Sequence, residues 1–432
     1  MSSLPSPLPQ ELLHAVSAPT GGRLALVLGA GCSMEAPTDL PSSATCAETI
    51  HRRLVADAVL SESDCADPTD LSAVTDAVFH KSHSQVAVVK RFLEGWDLRS
   101  PSPNNGYRLA AALLAEGAIA SVATLNFDLA ISHALSEVGV GTIVGVVNEP
   151  NDLAPTRRST VYYLHRNANS TNLESWVLRT SALADEWRDH WEQIIATKVL
   201  AAPTVVFVGL GSPPAVLLDT ARRIRAALPD TEFFQVDLVP RAESRVFREL
   251  NLADDHYVQR KWCGFMEDLS QRLVIEHTAD LLAASHLQVK SEGLLPENVG
   301  SLLAEIGRLT LLELGRLRAL WLLYKGSYRC RDEATTAHIA DLVLVIANLE
   351  RQSGAKARIT PEAWVEFRRG NRVVSAYRLA SGSGYRGPAS IEALIAEIVA
   401  QEHSAAQPPL AVIATGTTAA SAALSGSLCN WL

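Results

Sequence analysis

The 432-residue sequence has little of what most readily assigns a chain to a class. Its six cysteines (Cys32, Cys46, Cys65, Cys263, Cys330 and Cys429) are scattered and form no Cys-x-x-Cys pair. That spacing indicates neither a zinc site nor a disulfide framework, and no metal is expected. Basic residues do not predominate: 38 Lys and Arg against 47 Asp and Glu leave a net charge of −9. A generic nucleic-acid coat is thereby disfavoured, although a local basic patch is compatible with this balance. No repeat recurs at a period of about 20–50 residues. The opening stretch, Met1 to Gln10, is rich in Ser and Pro and lacks the basic-then-apolar pattern of a secretory signal. The uncharged end, Pro408 to Leu432, is interrupted throughout by Thr, Ser, Gly and Asn. It falls short of the ~20 predominantly apolar residues of a spanning helix. Cytoplasm without membrane attachment is the expected location. The apolar terminus is expected to pack into a core or interface, or to continue in a longer natural protein.

What the sequence does have is apolar mass. Hydrophobic residues make up 47% and charged residues 20%, enough for large cores and for two or three domains at ~150 residues each. Short aliphatic runs stand at Leu24–Leu28, Ile119–Thr124, Thr142–Val147, Val161–Leu164, Thr204–Val208 and Glu232–Val236. Most lack polar alternation, as strands covered on both faces do. Helical patterns fit between them, for example Leu129–Val138 and Pro214–Leu228, and a short strand at Tyr257–Gln259 with a helix at Phe265–Leu273 closes the series. The expected fold is therefore α/β, a doubly wound, Rossmann-like parallel sheet with helical insertions. From about Thr278 to Leu349 the pattern turns helical. Beyond the Ser353–Arg358 segment come a strand at Val373–Ala380, a glycine loop (Gly382, Gly384, Gly387), a helix at Ile391–Gln401 and a strand at Leu410–Thr415. The expected domains are 1–277 and a mainly helical to mixed region, 278–432.

Five segments carry chemistry. Gly29-Ala30-Gly31-Cys32-Ser33 follows the first strand, where glycines let backbone approach a phosphate and the next helix offers its positive end. Met34 occupies the place of a third fingerprint glycine, and a plain turn needing positive φ reads the same. Thr124-Leu125-Asn126-Phe127-Asp128 ends the second strand, at the carboxyl edge where open α/β sheets bind ligands; Asn126 or Asp128 is equally suited to capping the next helix. His165 follows the strand at Val161–Leu164, as a general base or an ordinary buried or surface histidine. Gly209-Leu210-Gly211-Ser212 makes another glycine turn, and Asp237 ends a strand where a ribose diol would meet it.

The order of these segments (strand-GAGxS, strand-TxNxD, strand-LH, strand-GxGS, strand-Asp) resembles the sirtuin family, in particular its divergent bacterial branch of NAD-cleaving effectors. The resemblance covers roughly residues 20–275, about 60% of the chain. GAGCS with Leu40-Pro41 is similar to the family's first NAD loop, TLNFD to its T-x-N-[IF]-D motif, LH to the start of L-H-G, and GLGS to its ribose-contacting loop. The resemblance implies NAD as substrate and cleavage of the nicotinamide–ribose bond. It implies that Asn126 positions the ribose hydroxyls and attacking water, Asp128 holds the carboxamide, and His165 serves as base. Ser33 and the Gly29 and Gly31 amides, with Ala30, would take the pyrophosphate; Thr124 and Phe127 line the motif; Gly209, Gly211, Ser212 and Asp237 face the adenosine ribose. The family's deacetylases carry a four-cysteine zinc ribbon absent here, which implies NAD hydrolysis rather than deacylation. Arg166 stands where the family has glycine, implying either a phosphate clamp or a crowded pocket with a resting state awaiting activation. By analogy the chain is the gated effector of an anti-phage defence assembly, a homo-oligomer or the partner of a translocase ATPase or nucleic-acid sensor. The alternatives are a non-catalytic NAD- or ADP-ribose-sensing or scaffold subunit, and a deacylase.

The C-terminal third adds two ambiguous features. Arg308, Arg316, Arg318, Lys325, Arg329 and Arg331, with one acid (Glu313) and interleaved Trp321, Tyr324 and Tyr328, suit either a nucleic-acid or acidic-partner surface or an amphipathic helix with a solvated basic face. The glycines of Ser381–Gly387 suit either a second nucleotide-sensing unit or an ordinary loop.

Overall fold

The computed structural model describes residues 7–18, 21–152, 159–187, 190–289, 296–381 and 410–413. The chain divides into two compact units, Met1–Leu269 and Ser270–Leu432.

In the first unit seven strands, β1 (Leu24–Leu28), β2 (Ile119–Thr124), β3 (Val144–Val147), β4 (Ser159–Tyr163), β5 (Thr204–Val208), β6 (Glu232–Asp237) and β7 (Tyr257–Gln259), form one sheet in the order β3-β4-β2-β1-β5-β6-β7. Every pairing is parallel. β1 and β5 are buried at every position, because a parallel sheet with covered faces has no solvent side to accept alternating polar residues. From β1 the chain passes to β2 beside it, jumps to the edge at β3, comes back to fill the place between them at β4, and then crosses to the opposite side of β1 at β5. That reversal is the topological switch point, and the crevice beyond it is where such sheets bind ligands.

The helices of this unit are α1 (Gln10–Ser17), α2 (Ser43–Ala56), α3 (Leu71–Ser82), α4 (Val86–Gly95), α5 (Asn105–Glu116), α6 (Ala130–Val138), α7 (Trp191–Leu200), α8 (Ala215–Ala227), α9 (Arg245–Glu249) and the start of α10 (Trp262–Val289). The insertion α2–α4 closes a core of its own from Ile50, Leu54, Val78, Val88 and Phe92, joined by Trp176 and Leu178. Caps set the helix ends. Asn104 accepts from Tyr107 N at the start of α5, and Gly117 in the left-handed region ends it.

The second unit holds the rest of α10, with α11 (Pro296–Ile306), α12 (Leu311–Trp321), α13 (Glu333–Ser353) and a four-stranded sheet. α12 opens with a capping box between Thr310 and Glu313. α13 is buried along nearly all of its second half, as a helix at the centre of a core is. The helical reading from Thr278 to Leu349 agrees with α10–α13, but α10 runs sixteen residues past the expected end at Leu273. After Ser353 the strands expected at Val373–Ala380 and Leu410–Thr415 are β10 (Arg372–Ser381) and β11 (Leu410–Ile413), which pair in parallel; the reading missed β8 (Lys356–Ile359) and β9 (Val365–Arg369), which form an antiparallel meander with β10. The glycine loop at 382–387 and the expected helix at 391–401 lie outside the described residues. Among the described residues no helix is long and apolar enough to cross a membrane.

Candidate functional site at the switch point

All five chemistry-bearing segments sit at the carboxyl ends of five adjacent strands, β4, β2, β1, β5 and β6. Main-chain hydrogen bonds run from segment to segment along this edge: Leu164 N to Thr124 O, Leu125 N to Leu28 O, Gly29 N to Val208 O, and Gly209 N to Val236 O. Spacing in the sequence thus becomes adjacency in space.

The glycines are required, though for a closer reason than phosphate approach. A Cβ on Gly29 would lie 2.5 Å from Gly209 O, and one on Gly31 2.7 Å from Gly209 Cα. Gly209 itself adopts φ +61°, where only glycine is unstrained. The two glycine loops interlock backbone against backbone. The Gly29 amide is already donated to Val208 O and the Gly31 amide to Gly209 O, so neither N–H is free for a pyrophosphate as the resemblance implied. Ala30 is half-buried between them; Gly211 has open space where a side chain would stand, and Ser212 is exposed. Asp237 Oδ1 accepts from Leu238 N at 2.7 Å, bending the chain as β6 ends.

Beside the first loop lies a buried polar network. Asn126, 7% exposed, donates from Nδ2 to Gly29 O (3.0 Å), Ser33 Oγ (3.2 Å) and Tyr107 Oη (3.1 Å). Ser33 Oγ donates to Asp128 Oδ2 at 2.8 Å and lies 2.7 Å from Tyr107 Oη. Asp128 Oδ1 accepts from Ala130 N, the first residue of α6, in a turn that leads into the helix, whose N-cap is Leu129. Thr124 Oγ1 accepts from Asn126 N and fixes the motif's turn. Burial raises the Asp128 pKa, opposed by the Ala130 and Ser33 hydrogen bonds. Ser33 and Asp128 are turned towards each other, where the resemblance assigned each to the substrate.

Across Phe127 the surroundings change character. His165 is buried with its ring edge-on to Trp187 (5.6 Å) and tilted over Phe127 (5.8 Å), which stacks on Trp176 at 4.7 Å. Its Nε2 is buried without a partner. Desolvation lowers the His165 pKa to about 3, a hydrogen bond to the Leu125 main chain acts in the opposite direction, and the Arg166 charge adds to the lowering. The ring is therefore neutral at ordinary pH. With its other nitrogen held by Leu125, the lone pair lies on Nε2.

Arg166 adopts φ +75°, the left-handed region that glycine occupies freely. Its guanidinium pairs with Glu192 at 2.8 Å, both side chains largely buried, and lies over the Trp191 ring. In this arrangement its guanidinium is engaged by Glu192 and Trp191. Two surface clefts, of about 420 Å³ on α8 and about 450 Å³ between α4 and residues 169–173, touch none of Asn126, Asp128 or His165. Tyr107, Trp187 and Trp176 escaped the sequence reading. Each reaches the site across tens of residues, and Tyr107 stands in an apolar helical pattern that gives no sign of a functional hydroxyl.

Fold and edge together define a doubly wound α/β domain with its polar side chains gathered beside the switch point. Among solved structures the chain is similar to Sir2 proteins. A Sir2 homologue, as a point mutant complexed with ADP-ribose, aligns at 15% identity over 62% of this chain and 96% of its own, with a TM-score of 0.37. A Sir2 homologue in complex with NAD aligns at 15% over 61% and 93%, TM-score 0.36. A structure described as the basis for the mechanism and regulation of Sir2 enzymes aligns at 13% over 61% and 98%, TM-score 0.35. No protein-family model matches the sequence, and no curated protein does.

Proposed function

We propose that the chain is an NAD glycohydrolase that uses no metal. The observation that supports this reading is that Asn126 and His165 follow the carboxyl ends of the neighbouring strands β2 and β4, with His165 hydrogen-bonded to the main chain of Leu125, next to Asn126. In the reaction, the bond from the anomeric carbon to the pyridinium nitrogen breaks and neutral nicotinamide leaves. A water oxygen bonds to the same carbon, and the water proton passes to His165 Nε2 and then to solvent, giving ADP-ribose. Asn126, whose Nδ2 is fully engaged, offers its Oδ1 to the water or a ribose hydroxyl. The charge of Asp128 favours the oxocarbenium-like centre electrostatically rather than by contact. Gly209, Gly211, Ser212 and Asp237 line the adenosine side.

A base with a pKa near 3 is idle at neutral pH. Hydration of Nε2 on substrate entry moves it back towards the ordinary value of 6.5 and switches it on. This closed arrangement suits a gated effector, and on family analogy alone the setting is cytoplasmic anti-phage defence with an oligomer or partner protein as the gate. A nucleic-acid partner at residues 308–331 has less support. Arg308, Arg318, Arg329 and Arg331 are engaged by Glu305, His277, Asp332 and Asp280, and Trp321 and Tyr328 are buried. The same closure favours a second reading, a subunit that senses NAD or ADP-ribose without turnover. Chromatography of the products formed from NAD separates them. Nicotinamide and ADP-ribose in equal amounts, abolished in Asn126→Ala, support the hydrolase; calorimetric binding of NAD without nicotinamide release, in every oligomeric state, supports the sensor.

A further inference from the structure

The hydroxyl of Tyr107 has no place in the reaction just described, yet it is held firmly at the site. Tyr107 lies in the first turn of α5 and is 1% exposed. Its ring stands edge-on to Trp262 at 5.8 Å. Trp262 in turn fills the space over Gly106, where a Cβ would come within 2.2 Å of the indole nitrogen. The phenol is thereby backed by an indole that no side chain at position 106 would tolerate.

With Asp128 as a carboxylate, the count of protons orders the network. Gly29 O only accepts, so the Asn126 atom 3.0 Å away is the amide nitrogen, and a flipped carboxamide would set two oxygens against each other. Asn126 Nδ2 cannot accept: one of its two protons goes to Gly29 O and the other is shared between Tyr107 Oη and Ser33 Oγ, so Tyr107 Oη accepts from it and gives its own proton to Ser33 Oγ. Ser33 gives its proton to Asp128. Asp128 accepts at both oxygens, from Ser33 and Ala130 N, and is the anionic end of the chain. Burial and the Asp128 charge both raise the Tyr107 pKa, so the phenol keeps the proton it donates.

We infer that Tyr107 is a positioning residue that locks the Asn126 carboxamide with Oδ1 facing the reacting sugar and relays the Asp128 charge to it. Hydrogen bonds ordered in one direction polarise one another, and drawing on the amide N–H bonds raises electron density on Oδ1. Asn126 Oδ1 thus becomes a stronger acceptor for the attacking water or ribose hydroxyl without Asp128 touching substrate. The inference rests on the glycohydrolase reading.

Tyr107→Phe keeps the ring against Trp262 and removes only the hydroxyl. Its kcat for nicotinamide release is expected to fall about five- to tenfold, the loss of one hydrogen bond felt in the transition state, with KM and the calorimetric Kd for ADP-ribose within about twofold of the parent. Ser33→Ala, which cuts the relay one link nearer Asp128, is expected to lower kcat likewise and serves if Tyr107→Phe fails to fold by thermal unfolding. A Tyr107→Phe kcat within twofold of the parent, or a loss appearing only in KM and Kd, would overturn the inference while an inactive Asn126→Ala leaves the glycohydrolase reading standing. Nicotinamide release undiminished in Asn126→Ala, or absent from the parent in every state, overturns both.

Discussion

The two sides of Phe127 solve opposite problems. On the Asn126 side every donor of the network is matched to an acceptor, and the carboxamide is held by three neighbours, Gly29, Ser33 and Tyr107. On the His165 side the walls are aromatic, Nε2 has no partner, and burial holds the ring neutral as a weak base. One side is organised in advance and the other is kept waiting. The contrast teaches that a single strand edge can hold one polar group pre-organised and leave another buried without a partner; under the proposed function this is how a hazardous hydrolase would be kept quiet.

That contrast can be broken at several points. The largest effect is expected from His165→Ala, which removes the base; kcat for nicotinamide release should fall about 10²–10⁴-fold with ADP-ribose affinity retained. Next comes the support of the histidine side. Arg166→Ala strands Glu192 as a buried, unpaired carboxylate and is expected to cost about 3–5 kcal/mol in urea unfolding. Adding Glu192→Gln should restore much of that. Smaller again is a pH effect. The unfolded chain binds a proton at an ordinary imidazole near pH 6.5, whereas folded His165 refuses one until about pH 3. Stability is therefore complete above pH 6.5 and falls as the pH drops towards 3, by up to about 1.4 kcal/mol per unit from this group. Buried His277, whose pKa burial and Arg318 also lower, adds a slope of the same sign. His165→Gln should flatten the curve by one histidine's share in urea titrations between pH 7 and 5. The smallest effect is expected at the divide itself: Phe127→Leu loses the stack on Trp176, about 0.5–1.5 kcal/mol beyond burial, read as a lowered midpoint.

Much of the first unit was legible because its strands are continuous apolar runs ended by polar or glycine turns. β1, β2 and β5 fall on the residues expected, since a parallel sheet buried on both faces leaves its mark in composition, and the edge strand β7 also falls where expected. β8 and β9 were not legible. Lys356–Ile359 and Val365–Arg369 bury only alternate side chains, and their charged residues mask so short a period-two pattern. Asn126, Asp128 and His165 were legible as motif residues, because each follows a strand and so stands at the carboxyl edge of the sheet. Their partners were not. Tyr107 meets Ser33 across 74 residues, and no local pattern encodes that pairing. Arg166 shows the same limit: its left-handed backbone and its ion pair with Glu192 are set by tertiary packing, which the sequence around it does not encode.

The most direct test of the account is a double-mutant cycle on NAD turnover with Asn126→Ala, His165→Ala and both together. If the two side chains act on one sugar carbon in one step, each single variant abolishes most of the rate and the double variant is scarcely slower than the worse single. Losses that multiply independently, or a single variant that releases nicotinamide as fast as the parent, would contradict it.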